Sequence, residues 1–207
     1  ETIAFDGFPG GESRSGHYIY EPVGVVAAIT PFNDPLNLVC HKLGPAFAAG
    51  NAVVLKPAEQ APLVAIMLAR LLLAAGLPER ALNLLTGRGA DFGDALTSHP
   101  DVAMISFTGG AGVGQAICRS AGIKRVAMEL GGNGPVIVMD DADVDRAAAA
   151  CVWGAFGAAG QNCIGVQRIY VHDAVHDHFR AALIAATRAL RVGDPTDPAT
   201  DIGPMIG

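Results

Sequence analysis

One stretch decides the fold: Val23-Gly24-Val25-Val26-Ala27-Ala28-Ile29-Thr30-Pro31-Phe32-Asn33. A β-branched apolar run gives way at Thr30-Pro31 to polar residues and a ring that cannot continue a ladder. Such a run suits a strand buried on both faces. Reading outward, similar runs recur at 51–56, 81–85, 102–108, 125–130 and 135–139. Helical stretches lie between them at 36–49, 61–75, 92–98 and 113–121, and Gly50, Gly76 and Gly122 stand where helices end. Strand, helix, strand at this rhythm predicts a parallel sheet covered by helices. Gly44-Pro45, inside the first helical stretch, is expected to mark a kink or a boundary.

The flanks read differently. Residues 1–21 hold four glycines and alternate weakly near His17-Tyr18-Ile19-Tyr20, as an arm or hairpin strand would. Beyond Asp140 come a small-residue helix at 146–158, a glycine-rich turn at Gly160, a strand at 168–172 and a helix at 174–190, so a second domain is expected from about Gly131. Both ends look cut, and a piece of a longer enzyme is expected.

Composition narrows the classes. Of 207 residues 51% are hydrophobic and 16% charged, below the roughly 25% charged of an ordinary soluble domain. That fits burial in a larger α/β core or in an oligomer. A net charge of -6, without a lysine and arginine cluster, gives nucleic acid no electrostatic foothold. No apolar run reaches the roughly 18 residues of a membrane helix, and residues 1–8 lack the basic start of a signal peptide. Four unpaired-looking cysteines are expected to be reduced, in a cytoplasmic protein.

Open α/β sheets bind ligands beyond the C-terminal ends of their strands. Four marked segments fall there: Thr30-Pro31-Phe32-Asn33, Lys56-Pro57-Ala58-Glu59, the glycine-rich 87–93 with Gly89, and Phe107-Thr108-Gly109-Gly110 running on to Val113. Gly109 and Gly110 would let the backbone approach a pyrophosphate at a helix N-terminus. Lys56 suits a phosphate or ribose hydroxyl. Glu59 suits a ribose diol and would repel a 2′-phosphate, which favours NAD over NADP, the latter remaining an alternative. Neither glycine cluster has GxGxxG spacing, so tight turns also fit.

Cys163, in Gly160-Gln161-Asn162-Cys163-Ile164-Gly165, follows a helix and reads either as a reactive thiol or as a small buried hydrophobe. Cys40, Cys118 and Cys151 lie on helical apolar faces and are expected to be buried. Glu129 ends an apolar strand before Leu130, Gly131 and Gly132; burial there would raise its pKa and suit a general base, and a salt bridge or turn role fits as well. His172, His176 and His178 lack metal-ligand geometry and read as helix capping and solvated surface, so no metal is expected. Asp140, Asp141 and Asp143 read as helix caps.

Taken in order, Pro31-Phe32-Asn33, Lys56-Pro57-Ala58-Glu59, Phe107-Thr108-Gly109-Gly110, Glu129-Leu130-Gly131-Gly132 and Gly160-Gln161-Asn162-Cys163 resemble the NAD(P)-dependent aldehyde dehydrogenase superfamily from about Tyr20 to the C-terminus. The resemblance implies a Rossmann-like parallel sheet with helices on both faces, plus the start of a second α/β catalytic domain. It divides the chain into part of an oligomerisation arm (1–22), part of an NAD-binding domain (23–130) and the N-terminal part of a catalytic domain (131–207). It implies Cys163 as nucleophile, Glu129 as general base, Asn33 as an oxyanion-hole amide and Lys42 as an aid to proton transfer. Lys56 and Glu59 would hold the adenosine ribose, Gly109 and Gly110 the pyrophosphate, and Thr108 and Gly131 the nicotinamide. In the family the position of Gly110 is commonly serine, so a hydroxyl donor is missing here.

The implied chemistry is thiolate attack on an aldehyde, hydride transfer and hydrolysis of a thioester to a carboxylic acid. A CoA-acylating semialdehyde dehydrogenase and a non-catalytic paralogue are the alternatives. The full protein is expected to be a homodimer or homotetramer, and the 207-residue piece alone inactive or nearly so. Phe32, Leu38 and His41, with Trp153, Phe156, Asn162 and Ile164, are expected to line the aldehyde tunnel; Asn162 and His41 favour small or polar aldehydes.

Overall fold

The computed structural model describes residues 1–207. In chain order its elements are β1 (Thr2–Ile3), β2 (Gly16–His17), β3 (Val25–Ile29), α1 (Asn37–Ala48), β4 (Ala52–Lys56), α2 (Pro62–Ala74), β5 (Leu82–Leu84) and α3 (Gly89–Ser98). They continue as β6 (Val102–Thr108), α4 (Ala111–Ala121), β7 (Arg125–Glu129), β8 (Gly134–Val138), α5 (Val144–Phe156), β9 (Val166–Val171) and α6 (His176–Ala189). No helix is long and apolar enough to cross a membrane.

The central sheet has five parallel strands in the order β5-β4-β3-β6-β7. Its alternating side chains explain the double-sided burial. Val26 and Ala28 of β3 pack with Val39 and Leu43 of α1 and Ala65 of α2, whereas Ala27 packs with Leu96 of α3 and Ile117 of α4. The helices therefore lie on both faces, and the strand order reverses at β3, next to β6. A crevice outside the carboxyl ends of β3 and β6 follows from that reversal. Asn51 ties the entry of β3 to α1: its Oδ1 accepts from Val23 and Gly24 N–H at 2.7 and 3.1 Å, and its Nδ2 donates to Ala46 O at 3.1 Å.

After β7 the five-stranded sheet stops and a separate parallel pair, β8-β9, begins; Val138, Val144, Cys151 and Phe179 form its core with α5 and α6. Asp143 caps α5 by accepting from Arg146 N–H at 3.1 Å. Near the N-terminus β1 pairs antiparallel with β2, so the hairpin strand forms at Gly16–His17.

One expectation is narrowed and two are corrected. α1 continues through Gly44-Pro45 to Ala48, so of a kink or a boundary at that pair the boundary is excluded. Cys40 and Cys118 are exposed, because the apolar residues of α1 and α4 are not confined to the sheet side; only Cys151 is buried, and burial raises its thiol pKa. Glu129 is exposed rather than enclosed, because β7 is an edge strand.

Candidate active site

Two cavities open at the C-terminal ends of the strands. The larger, about 590 Å³, runs from the ends of β3, β4 and β6 to the first turns of α3 and α4. Ten expected cofactor residues line it: Thr30, Pro31, Phe32, Lys56, Glu59, Gly89, Phe107, Thr108, Gly109 and Val113. The second, about 320 Å³, is lined by Asn33, Leu130, Gly131, Gly132, Gln161, Asn162, Cys163 and Gln167. Pro31, Phe32, Thr108 and Gly109 line both, so the two cavities meet across the β3–β6 reversal.

In the larger cavity Lys56 is buried; its Nζ donates to Pro57 O at 3.3 Å and lies 5.9 Å from the Phe92 ring centroid. A cation over an aromatic face is held by the ring quadrupole. A Cβ at Gly109 would meet the Phe107 ring at 2.6 Å, so any larger residue there would force the ring to shift. Gly110 precedes α4, whose first backbone N–H groups have no intrahelical acceptor. The Thr30 hydroxyl, in a residue only 4% exposed, is the one buried side-chain polar atom without a hydrogen-bond partner. An orphaned hydroxyl, a buried cation, helix-end donors and an exposed carboxylate at Glu59 fit a dinucleotide's hydroxyls and phosphates.

The second cavity brings Asn33 and Cys163 together although they are far apart in the chain. The turn that delivers Cys163 is strained. Ala158 and Ala159 stand at φ 52° and 56°, before Gly160 at φ 76°. A left-handed conformation costs an alanine about 1–2 kcal/mol. The Cys163 thiol donates weakly to Asn162 Oδ1 at 3.9 Å. On the facing side a Cβ at Gly132 would lie 2.5 Å from Cys163 O, so only glycine lets these segments meet.

Other expected residues fall elsewhere. Lys42 and Glu129 line neither cavity. Lys42 is 8% exposed and donates from Nζ to Ser106 Oγ at 3.1 Å; burial lowers its pKa from 10.5 to about 8 against the raising pull of Glu129. Gly110 lies outside both linings, and so do Leu38 and His41 on α1. Trp153 and Phe156 border a separate space of about 460 Å³ beside Leu190. Trp153 and Ile164, 81% and 80% exposed, flank another under β8. Of the expected tunnel residues only Phe32 and Asn162 face the Cys163 cavity.

Sequence reasoning missed Gln167 and Ser106, and it quoted Gly132 within a motif without giving it a role of its own. Gln167 is a polar residue at the start of β9, a signal visible only once the strand begins at Val166. Ser106 could be paired with Lys42 only through the fold.

Residues 2–207 match the aldehyde dehydrogenase family. The chain is 56% identical to aspartate-semialdehyde dehydrogenase 1 of Pseudomonas canavaninivorans over 206 residues, covering 100% of this chain and 44% of that protein. Among solved structures it is similar to glyceraldehyde-3-phosphate dehydrogenase GapN of Methanocaldococcus jannaschii complexed with NADP, at 47% identity and TM-score 0.86, over 90% of this chain and 42% of that one. A mutant aldehyde dehydrogenase C of Pseudomonas syringae, complexed with NAD+ and octanal, matches at 40% identity and TM-score 0.88, over 90% and 39% of the respective chains. The chain thus spans less than half the length of these relatives. Over that span, by sequence and by fold, it belongs to the aldehyde dehydrogenase family.

Proposed function

We propose that the polypeptide carrying this chain oxidises an aldehyde to a carboxylic acid with a nicotinamide dinucleotide, using Cys163 as the nucleophile. The observation that carries this reading is the meeting of two cavities: one suited to a dinucleotide, the other holding Cys163 and Asn33.

The Cys163 thiolate forms a C–S bond with the aldehyde carbon, and the carbonyl oxygen becomes an alkoxide. Asn33 Nδ2 and the Cys163 backbone N–H are the donors assigned to that oxygen. A nicotinamide dinucleotide held there would accept the hydride that leaves the carbon as the alkoxide collapses to a thioester on Cys163. Thr108, Gly109 and Gly131, which line the cavity of the thiol, are the residues that would hold the nicotinamide ring beside the reacting carbon. Glu129 then takes a proton from water, whose oxygen attacks the thioester carbon; the C–S bond breaks, and acid and thiol are released. Glu129 immediately precedes Leu130 and Gly131 of the cavity wall, and its exposed carboxylate is open to solvent water.

NAD is the preferred cofactor. Glu59 and Asp94 place two carboxylates on the larger cavity against one lysine, Lys56, which disfavours a 2′-phosphate. The Cys163 cavity holds four carboxamides, from Asn33, Gln161, Asn162 and Gln167, and no side-chain ammonium, guanidinium or carboxylate. A small aldehyde bearing hydroxyl or other hydrogen-bonding groups suits that wall. The same reading assigns residues 1–22 to an oligomerisation arm, 23–130 to the cofactor domain and 131–207 to the catalytic domain of a cytoplasmic homodimer or homotetramer.

The test is reduced-cofactor formation by the full-length polypeptide over a panel of aldehydes, with NAD+ and NADP+ in parallel. The reading expects turnover that Cys163→Ser abolishes, with NAD+ preferred. Undiminished turnover in that variant would overturn it.

A further inference from the structure

We infer that Ser106 is a positioning residue that holds the Lys42 ammonium behind the reaction site, facing Glu129. The inference rests on the reading of Glu129 as the base. Lys42 reaches from α1 under the C-terminal half of the sheet, and Ser106 on β6 accepts from its Nζ at 3.1 Å across 64 residues of chain. This is its one side-chain hydrogen bond. Ser106 is level with Ala28 of β3 and Ala127 of β7, while Glu129 pairs with Thr108 one pleat further on.

The surroundings leave the ammonium few other anchors. β3 and β6 carry no ionisable side chain, β4 carries only Lys56 at its end, and β7 supplies Glu129 and, at its far end, Arg125. On α1 itself the other titratable groups are Cys40 and His41, both exposed. Burial works against the charged form of Lys42, and Glu129 is the charge that works for it. Ser106 adds a hydrogen bond to the charged form, which favours that form and fixes where its charge sits. Lys42 is buried and Glu129 is the charge that acts on it, so its part in the reaction is assigned through Glu129. A longer or wandering ammonium would leave the Glu129 carboxylate without its fixed counter-charge when the water proton moves.

The test uses the full-length polypeptide with Ser106→Ala and Ser106→Thr. The ε-nitrogen of Lys42 is titrated by NMR after 15N-lysine labelling, with Lys42→Arg to assign its signal. In Ser106→Ala the titration moves down by about one pH unit, the size of a hydrogen bond to a charged group. Ser106→Thr, which keeps the hydroxyl, restores it. The alkaline limb of kcat for aldehyde oxidation moves by the same amount, while the rate of Cys163 alkylation by iodoacetamide does not change. An unmoved titration in folded Ser106→Ala overturns the proposal, as does a moved titration with an unmoved alkaline limb. Absence of aldehyde turnover in the unmodified protein would instead count against the oxidation reading, which the NMR titration does not need.

Discussion

Replacing Lys42 by methionine should make the protein more stable at neutral pH. Methionine keeps the length and removes the charge. In the folded state Lys42 titrates at about 8, against an ordinary 10.5. The lowered value fixes the sign. Below pH 8 both folded and unfolded chains hold the proton, and the burial cost is present in full. Between pH 8 and 10.5 the unfolded chain holds a proton that the folded chain has released, so stability climbs. Above that window the cost is gone. At 1.36 kcal/mol per pH unit the full cost comes to about 3 kcal/mol. The variant also leaves the Ser106 hydroxyl without its partner, which takes back about 1 kcal/mol. A net gain of about 2 kcal/mol at pH 7 follows, which raises the melting temperature by roughly 4–8 °C for a chain of this size. Urea unfolding of both proteins from pH 7 to 10.5 is the assay, and the difference between them should shrink steadily above pH 8. A variant less stable than the parent at pH 7, with a difference that does not change with pH, would refute the reasoning.

Thr30→Val removes the one buried hydroxyl without a partner and should raise the free energy of unfolding by about 1 kcal/mol in the cofactor-free protein, by denaturant titration; a loss of stability would show that the hydroxyl is already satisfied. Asn51→Ala breaks three hydrogen bonds between the start of β3 and α1, leaving Val23 and Gly24 N–H unpaired, and should cost about 2–4 kcal/mol by denaturant titration. Ala159→Gly relieves a left-handed alanine and should stabilise by about 1 kcal/mol, read as a raised melting temperature; unchanged or lowered stability would argue against that backbone conformation.

The central sheet was legible because its strands are buried on both faces, and Val25–Ile29, Ala52–Lys56 and Val102–Thr108 stand out as unbroken apolar runs between helices. The residues lining the larger cavity were legible for a related reason: they lie at or just beyond strand ends, where polar residues and glycine interrupt the apolar pattern. What the sequence hid was which side of an element faces inward. Cys40 on α1 and Cys118 on α4 lie among small and apolar residues that do not mark one face, and both prove exposed. Glu129 looked enclosed by Leu130 and the strand before it, yet lateral position in a sheet is not written in a strand's own residues, and β7 is at the edge. The Lys42–Ser106 contact and the Gly132 approach to Cys163 join distant segments, so no local pattern announces them. The tunnel residues were read from one helix face and one turn. The structure gathers Phe32 and Asn162 at the thiol and leaves Leu38, His41, Trp153, Phe156 and Ile164 outside that cavity.

The central claim is that Cys163 carries the substrate covalently. The most direct measurement is rapid acid quenching of the full-length polypeptide during turnover with aldehyde and NAD+, followed by peptide mass mapping of all four cysteines. The account predicts an added acyl mass on the peptide containing Cys163 and none on Cys40, Cys118 or Cys151. Continued acid formation with Cys163 unmodified throughout, or acylation at one of the other three, would contradict it.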